Sequence, residues 1–337
     1  MTVQKHFKAI VRARMARTGE TYTAARAALE GELQGIRLER VATLEAHDRH
    51  CIAVRFAPNG RELLSGGFGG QARIWSTTDW SRAGELVGHT ESVNGFAFDA
   101  RGSRVVTVSS DGTVRLWELG SRREIATLNV GRKTMMAVDI RRDGAHAATG
   151  GFDGVVRLHA LDEREDPPAI TVGGRVMAVA FTPDGQRVAV ASAGVGVRLI
   201  TPEDGSVEEL PPADAVGVRW APDGAFLVVT EPTGAVSVLD VNDWSEVRRL
   251  ELKRSGMMPS AATRDSALLE IGWEKHVGVW RADEDEPAAT VDALPKGVYA
   301  LDFSPDGRLL AQGGADGRVR VWRVRAGAPS CDAPAGR

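Results

Sequence analysis

Short bursts of alternating apolar and polar residues fill most of this chain, with turns between them. The run "TVRLW" (113–117) is typical. Strict alternation over a handful of positions predicts a half-buried strand, because successive side chains point to opposite faces. Before each alternating run stands a continuous apolar stretch such as "VVTV" (105–108), which reads as a strand covered on both faces. Before that comes a strand running into a turn: "VRFAPNG", "FAFDARG", "VDIRRDG", "VAFTPDG", "VRWAPDG", "AATRDS" and "LDFSPDG". Proline presets φ for such turns and glycine supplies positive φ at little cost.

These bursts are copies of one unit. The alternating runs end at Trp75, Trp117, His159, Ile200, Leu239, Trp280 and Trp322, at successive spacings of 42, 42, 41, 39, 41 and 42. A weaker fourth run leads into each next unit ("GELVG", "IATLNV", "PAITVG", "VEELPP", "VRRLEL", "AATVDA"). Four strands per unit of this length predict a blade of a β-propeller, and seven units predict seven blades. After Trp322 only "RVRAGAPSCDAPAGR" remains, too rich in Pro, Gly and Ala for a good fourth strand. Leu44, Leu86 and Leu128 are spaced 42 apart, so "ERVATLE" is in phase with the fourth strands. We therefore expect residues 38–45 to complete the last blade, a propeller over 38–326 and a flexible tail over 327–337. Such closure leaves no open seam between first and last blades.

The stretch "GHTESVNGFAFDARGSRVVTVSSDGTVRLWE" resembles the WD40 repeat family, with Glu118 in place of the usual Asp after Trp117. The resemblance covers about residues 38–326 and implies a seven-bladed WD40-type propeller. It also implies a structural hydrogen-bond network of His89, Thr107, Asp111 and Trp117 in blade two. Blade one keeps His47, Ser65 and Trp75 but has Gly69 at the Asp position. Blade three keeps Thr149 and Asp153 but ends on His159, and blade seven keeps Asp316 and Trp322. Blades four to six lack the set almost entirely.

WD40-like propellers resemble one another in binding partners on the face formed by the second-to-third-strand turns and the blade connections. The residue before the turn Asp lies on that face: Phe68, Ser110, Phe152, Ala193, Pro232, Trp273 and Ala315. Phe68, Phe152 and Trp273 exceed what packing requires, and exposed aromatics anchor interfaces. Arg49, Arg132, Lys133, Arg175, Lys253, Arg254 and Lys296 fall in or beside the connections, so this face is expected to be basic and aromatic. The opposite face reads as mixed.

Residues 1–36 lie outside the repeat. Phe7, Ile10, Val11 and Met15 fall at helical spacing, Gly19 can end that helix, and Thr21 or Thr23 can cap a second over "AARAALEGELQG". A short N-terminal α-helical hairpin is the expectation.

Composition narrows the function less. With 337 residues, 43% hydrophobic and 26% charged, the chain has the profile of a soluble globular protein. A formal net charge of −3 lacks the basicity of a DNA-coating protein. Two cysteines, Cys51 and Cys331, suggest no disulfide framework, and no apolar run spans a bilayer, so the expectation is a cytoplasmic protein. Abundant Arg, Ala and Gly hint at a high-GC bacterial source. No phosphate-binding loop, zinc-protease His pair or nucleophile elbow occurs. "HDRHC" offers His47, His50 and Cys51, but no second cluster completes a metal site. The acidic runs "DEREDPP" and "DEDEP" read as solvated turns. A propeller hydrolase or lyase needs acids and histidines pointing into the channel, and the "VVTV"-type runs, taken as the inner strands, offer none. The expectation is a non-catalytic scaffold without cofactor that binds a protein or peptide, acidic in character, around Phe68, Phe152 and Trp273 with Arg49, Lys133 and Lys296. The alternative is a nucleic-acid-associated protein using the same face and the N-terminal helices.

Overall fold

The computed structural model describes residues 36–325 apart from 130–132, 163–167, 222–223, 252–259, 263–267, 274–275, 282–286 and 293–296, together with Gly19 and residues 21–23. The described strands form seven four-stranded antiparallel sheets. Six are each built from four strands consecutive in sequence, with innermost strands Cys51–Phe56, Val93–Phe98, Met135–Ile140, Arg175–Phe181, Gly217–Trp220 and Ser260–Ala262. The seventh is composite. Its three inner strands are Val298–Phe303, Leu309–Gly314 and Arg318–Arg325, and its outer strand is Arg37–Glu45.

The composite pairing runs from Arg37 opposite Arg325 to Glu45 opposite Arg318, with a bulge between Arg40 and Ala42. Ion pairs stand at both ends, Glu39 with Arg325 at 2.9 Å and Glu45 with Arg318 at 2.8 Å. Leu44 is buried beside Trp75, Val319 and Val321, which places the outer strand in the core between the seventh and first blades.

The rest of the core likewise lies between blades. One cluster joins Val156 and Leu158 of the third blade to Phe181, Val188 and Val190 of the fourth. Second strands are packed from both sides: in Arg104–Ser109 every residue after Arg104 is buried. That is why "VVTV" carries no alternation, as in any strand covered on both faces. The turns between second and third strands approach the neighbouring connection closely. Gly70 and Gly317 adopt φ of +76° and +79°, and a Cβ on either would strike a backbone carbonyl, of His89 and His47 respectively. Only glycine meets both demands.

Two expectations change here. The N-terminal helical hairpin is not supported: of residues 1–36 only Gly19, residues 21–23 and Ile36 are described, and of these only Tyr22 and Thr23 are helical. Among the described residues the channel is walled mainly by the first strands of blades one to five and seven rather than by the "VVTV"-type strands, which stand second. A strand with one face on an open channel accepts charge, and these place Arg55, Asp139 and Arg219 on it. No described helix is long and apolar enough to cross a membrane.

Candidate interaction site

Blade two shows how the local sequence fixes a turn. Trp117 Nε1 donates to Thr107 Oγ1 at 2.9 Å, and Thr107 Oγ1 meets His89 Nε2 at 2.7 Å. The other imidazole nitrogen, Nδ1, lies 2.9 Å from Asp111 Oδ2. Backbone N–H groups of Thr90 and Thr113 donate to the same carboxylate at 3.0 and 2.9 Å. Three segments of chain are thereby tied: the blade connection, the second strand and the turn. Burial works against the Asp111 charge, but the bonds from Thr113, Thr90 and His89 outweigh it and pull its carboxyl down to about 2. Burial is also the main reason that His89 is held below the usual imidazole range.

Asp, His and a hydroxyl in this order have the connectivity of a nucleophilic triad. Thr107 is however fully buried and already accepts a bond from Trp117, so its hydroxyl meets no substrate. The set holds the blade together.

Blades one, three, five and seven solve the same problem with substitutes. In blade one Ser65 Oγ joins His47 Nε2 at 3.1 Å to Trp75 Nε1 at 2.9 Å. Gly69 leaves the acid position blank there, and burial, with Arg73 nearby, pushes His47 down to about 4. In blade three His159 replaces the tryptophan and its Nε2 lies 2.8 Å from Thr149 Oγ1. The turn residue Asp153 pairs with Arg157 at 2.7 Å in place of a histidine. Blade seven repeats that device with Asp316 and Arg320 at 2.7 Å, while Gln312 Oε1 accepts from Trp322 Nε1 at 3.1 Å. Blade five uses an ionic knot that sequence reasoning missed. Buried Glu231 takes both arms of Arg249 at 2.6 and 3.2 Å, and Glu246 and Glu251 flank the same guanidinium.

On the face that carries these turns, Phe68 is 46% exposed. The His50 ring stands 5.2 Å from the Phe68 ring and equally far from that of Tyr299, which joins the connection between blades seven and one to the turn of blade one. In the sequence His50 stood out only as a metal-ligand candidate and Tyr299 not at all, because their places beside Phe68 depend on blade closure. Two blades away, on the turn of blade three, the half-buried Phe152 ring lies under the Arg175 guanidinium, 5.2 Å from its centroid. Lys133 is exposed on the preceding connection and Arg49 on the one before blade one. Trp273 ends the strand Leu268–Trp273, opposite His276, but its side chain lies outside the described residues, as does Lys296. The described connections also carry Asp48, Glu91 and Asp214, the last accepting from the Gly194 N–H at 2.7 Å. Their charge is mixed, and the cations concentrate around Phe152.

Between the two aromatic clusters opens the channel, a cavity of about 600 Å³. Its charged lining residues are Arg55, Asp139, Arg142 and Arg219. Asp139 accepts from the Phe181 N–H at 2.8 Å, and Arg55 lies 3.4 Å from the buried Asp302, which accepts from the Phe56 N–H at 2.8 Å. Each carboxylate staples its blade to the next, and burial raises that of Asp139 above its usual range.

Comparison with known proteins agrees with this architecture. The family described as "WD domain, G-beta repeat" matches residues 38–76, 80–118 and 287–323. Striatin of Mus musculus is 35% identical over 91 residues, 24% of this chain and 12% of striatin. WD repeat and HMG-box DNA-binding protein 1 of Mus musculus is 25% identical over 251 residues, 70% of this chain and 22% of that protein. Telomerase protein component 1 of Rattus norvegicus is 26% identical over 296 residues, 83% of this chain and 11% of the relative. The chain thus spans a fifth or less of the length of most of these much larger relatives, and little more of the other.

Proposed function

Because the chain carries WD40 repeats, we propose that it works as a non-catalytic scaffold that seats a protein segment on the face bearing Phe68 and Phe152. One observation carries this reading: a phenylalanine that the fold does not use stands 46% exposed at the turn of blade one, its ring tilted against that of His50, which in turn meets Tyr299 edge-on. A large aromatic left in water at a rigid, convergent position is the usual form of an interface anchor. The second anchor, Phe152, comes with its own cation, and Lys133 stands beside it. That sector suits a segment carrying carboxylates. Arg49 and, by sequence, Trp273 and Lys296 belong to the same proposed seat.

Nucleic-acid association is the competing reading, supported by the three exposed cations and by the name of one relative. The acids Asp48, Glu91 and Asp214 on the same connections weigh against a phosphate backbone and favour a protein. The test is affinity capture from the native host with the full chain and with the Phe68→Ala/Phe152→Ala double variant. Loss of specific protein partners from the variant supports the seat. The same partners at the same yield, or capture of nucleic acid that falls steeply with salt, overturns it.

A further inference from the structure

The innermost strands share an irregularity. In five of them the register slips by one residue near the upper end: between Cys51 and Ala53, Val93 and Gly95, Met135 and Ala137, Val176 and Ala178, and Val298 and Ala300. The residues passed over are Ile52, Asn94, Met136, Met177 and Tyr299. In blade five Val216 takes the corresponding place, its N–H bonding the Thr230 carbonyl at 2.8 Å just ahead of the Gly217–Thr230 pair. A bulged residue escapes the ladder and is re-aimed. All six line the channel cavity and are half-buried.

The chemistry of this collar is mainly apolar. Four of the six are aliphatic or thioether side chains, and Tyr299 adds an aromatic ring that carries a hydroxyl. The sixth, Asn94, already donates its amide hydrogens to Ser110 Oγ at 3.0 Å and to the Met135 carbonyl at 2.7 Å. The collar therefore offers apolar surface and, in the two methionines, side chains that reshape around a guest. It stands between the Phe68–His50–Tyr299 cluster on one side and Phe152 with Arg175 on the other. Tyr299 belongs to both collar and cluster, which makes the surface continuous.

We propose that the collar is a socket for one large apolar side chain, projecting from an extended segment that crosses the upper face with carboxylates set against Lys133 and Arg175. This rests on the reading of that face as a protein seat and adds what the segment must contain. A cationic side chain is a poorer guest. Arg55, Arg142 and Arg219 line the same channel, and its lining carboxylate, Asp139, already accepts a backbone N–H group. The chain's own ends are poorer candidates too. Arg37 pairs with Arg325 at the end of the closing strand away from Glu45 and Arg318, so both ends leave from the opposite face.

The test selects a random twelve-residue peptide library on the full chain and measures a synthetic copy of an enriched sequence by fluorescence anisotropy. The expected peptide has one indispensable Leu, Met or Phe flanked by Asp or Glu. Alanine at that residue, Met136→Glu or Met177→Glu should each weaken binding about tenfold or more. Arg61→Ala on the opposite face should leave it unchanged, and thermal unfolding should show that the glutamate variants remain folded. Retained affinity in both glutamate variants, with loss in Phe68→Ala/Phe152→Ala, overturns the socket and leaves the seat standing. Failure to enrich any peptide overturns both. Collar-dependent dimerisation in sedimentation makes the occupant a second copy and also overturns the proposal.

Discussion

Asp302, in the last blade, accepts a hydrogen bond at 2.8 Å from the backbone N–H of Phe56 in the first. Sequence places these residues at opposite ends of the propeller, and the bond closes the ring on the channel side. Asp302→Ala leaves that buried N–H unsatisfied and should cost about 2 kcal/mol, since charge-assisted bonds to buried groups lie in that range. Asn at 302 keeps an acceptor and should cost less. Urea denaturation of both variants checks the order, and equal stability of the two would contradict it.

The same closure is held on its outer side by packing more than by charge. The Glu45–Arg318 pair is largely exposed, and exposed pairs contribute about 1 kcal/mol or less. Leu44 is 5% exposed within the inter-blade core. Leu44→Ala should therefore cost about 2–4 kcal/mol, and Glu45→Ala well under half of that. Chemical denaturation of the two variants reads the contrast directly.

In blade two, Thr107→Val removes the shared partner of His89 and Trp117 while keeping side-chain volume. Two buried polar nitrogens lose their bonds, so the loss should be about 2–4 kcal/mol. Trp117→Phe strips one donor and leaves His89 bonded to Thr107. If Thr107→Val proves neutral, the network is ornament rather than a tie.

Acid should weaken the fold in two stages. Burial holds His47 and His159 down to about 4, against an ordinary 6.5, so the native state takes up these protons later than the unfolded chain. Their contribution is complete above about pH 6.5 and is lost as pH falls toward 4, on the order of 2–3 kcal/mol each. Asp111, pulled down to about 2, adds stability that is present above its ordinary 3.8 and lost between there and about 2. His159→Trp, which restores the residue found at this position in blades one, two, six and seven, should shrink the first stage. Thermal unfolding from pH 7 to pH 4 tests this, and an unchanged acid slope in the variant would refute it.

How much of this was legible in sequence depended on how local the signal was. The blade period was plain, because a strand end and a Pro/Asp-Gly turn recur within each unit. The blade-two network was legible because all four residues keep their expected types. His159 and Gln312 were opaque: each is an ordinary polar residue until the strand pairing sets it against Thr149 or Trp322. The Glu231–Arg249 knot needs three strands side by side, which no local pattern encodes. The channel wall was misassigned because the most apolar strand is covered on both faces, whereas the channel strand borders open space and carries Asp139 and Arg55. Of the proposed seat, Phe68, Phe152 and Arg175 were found by counting along the repeat, whereas His50 and Tyr299 became visible only once the ring was closed.

The most direct test of the scaffold reading is a hydrogen-exchange footprint of the full chain with a captured partner bound. The account predicts protection at residues 49–50, 68–69, 133–135, 152–153 and 175, on the connections and turns that carry the two aromatic clusters. Protection confined to the turns at 58–61 and 141–144 on the opposite face, with the Phe68 and Phe152 turns exchanging as in the free protein, would contradict it.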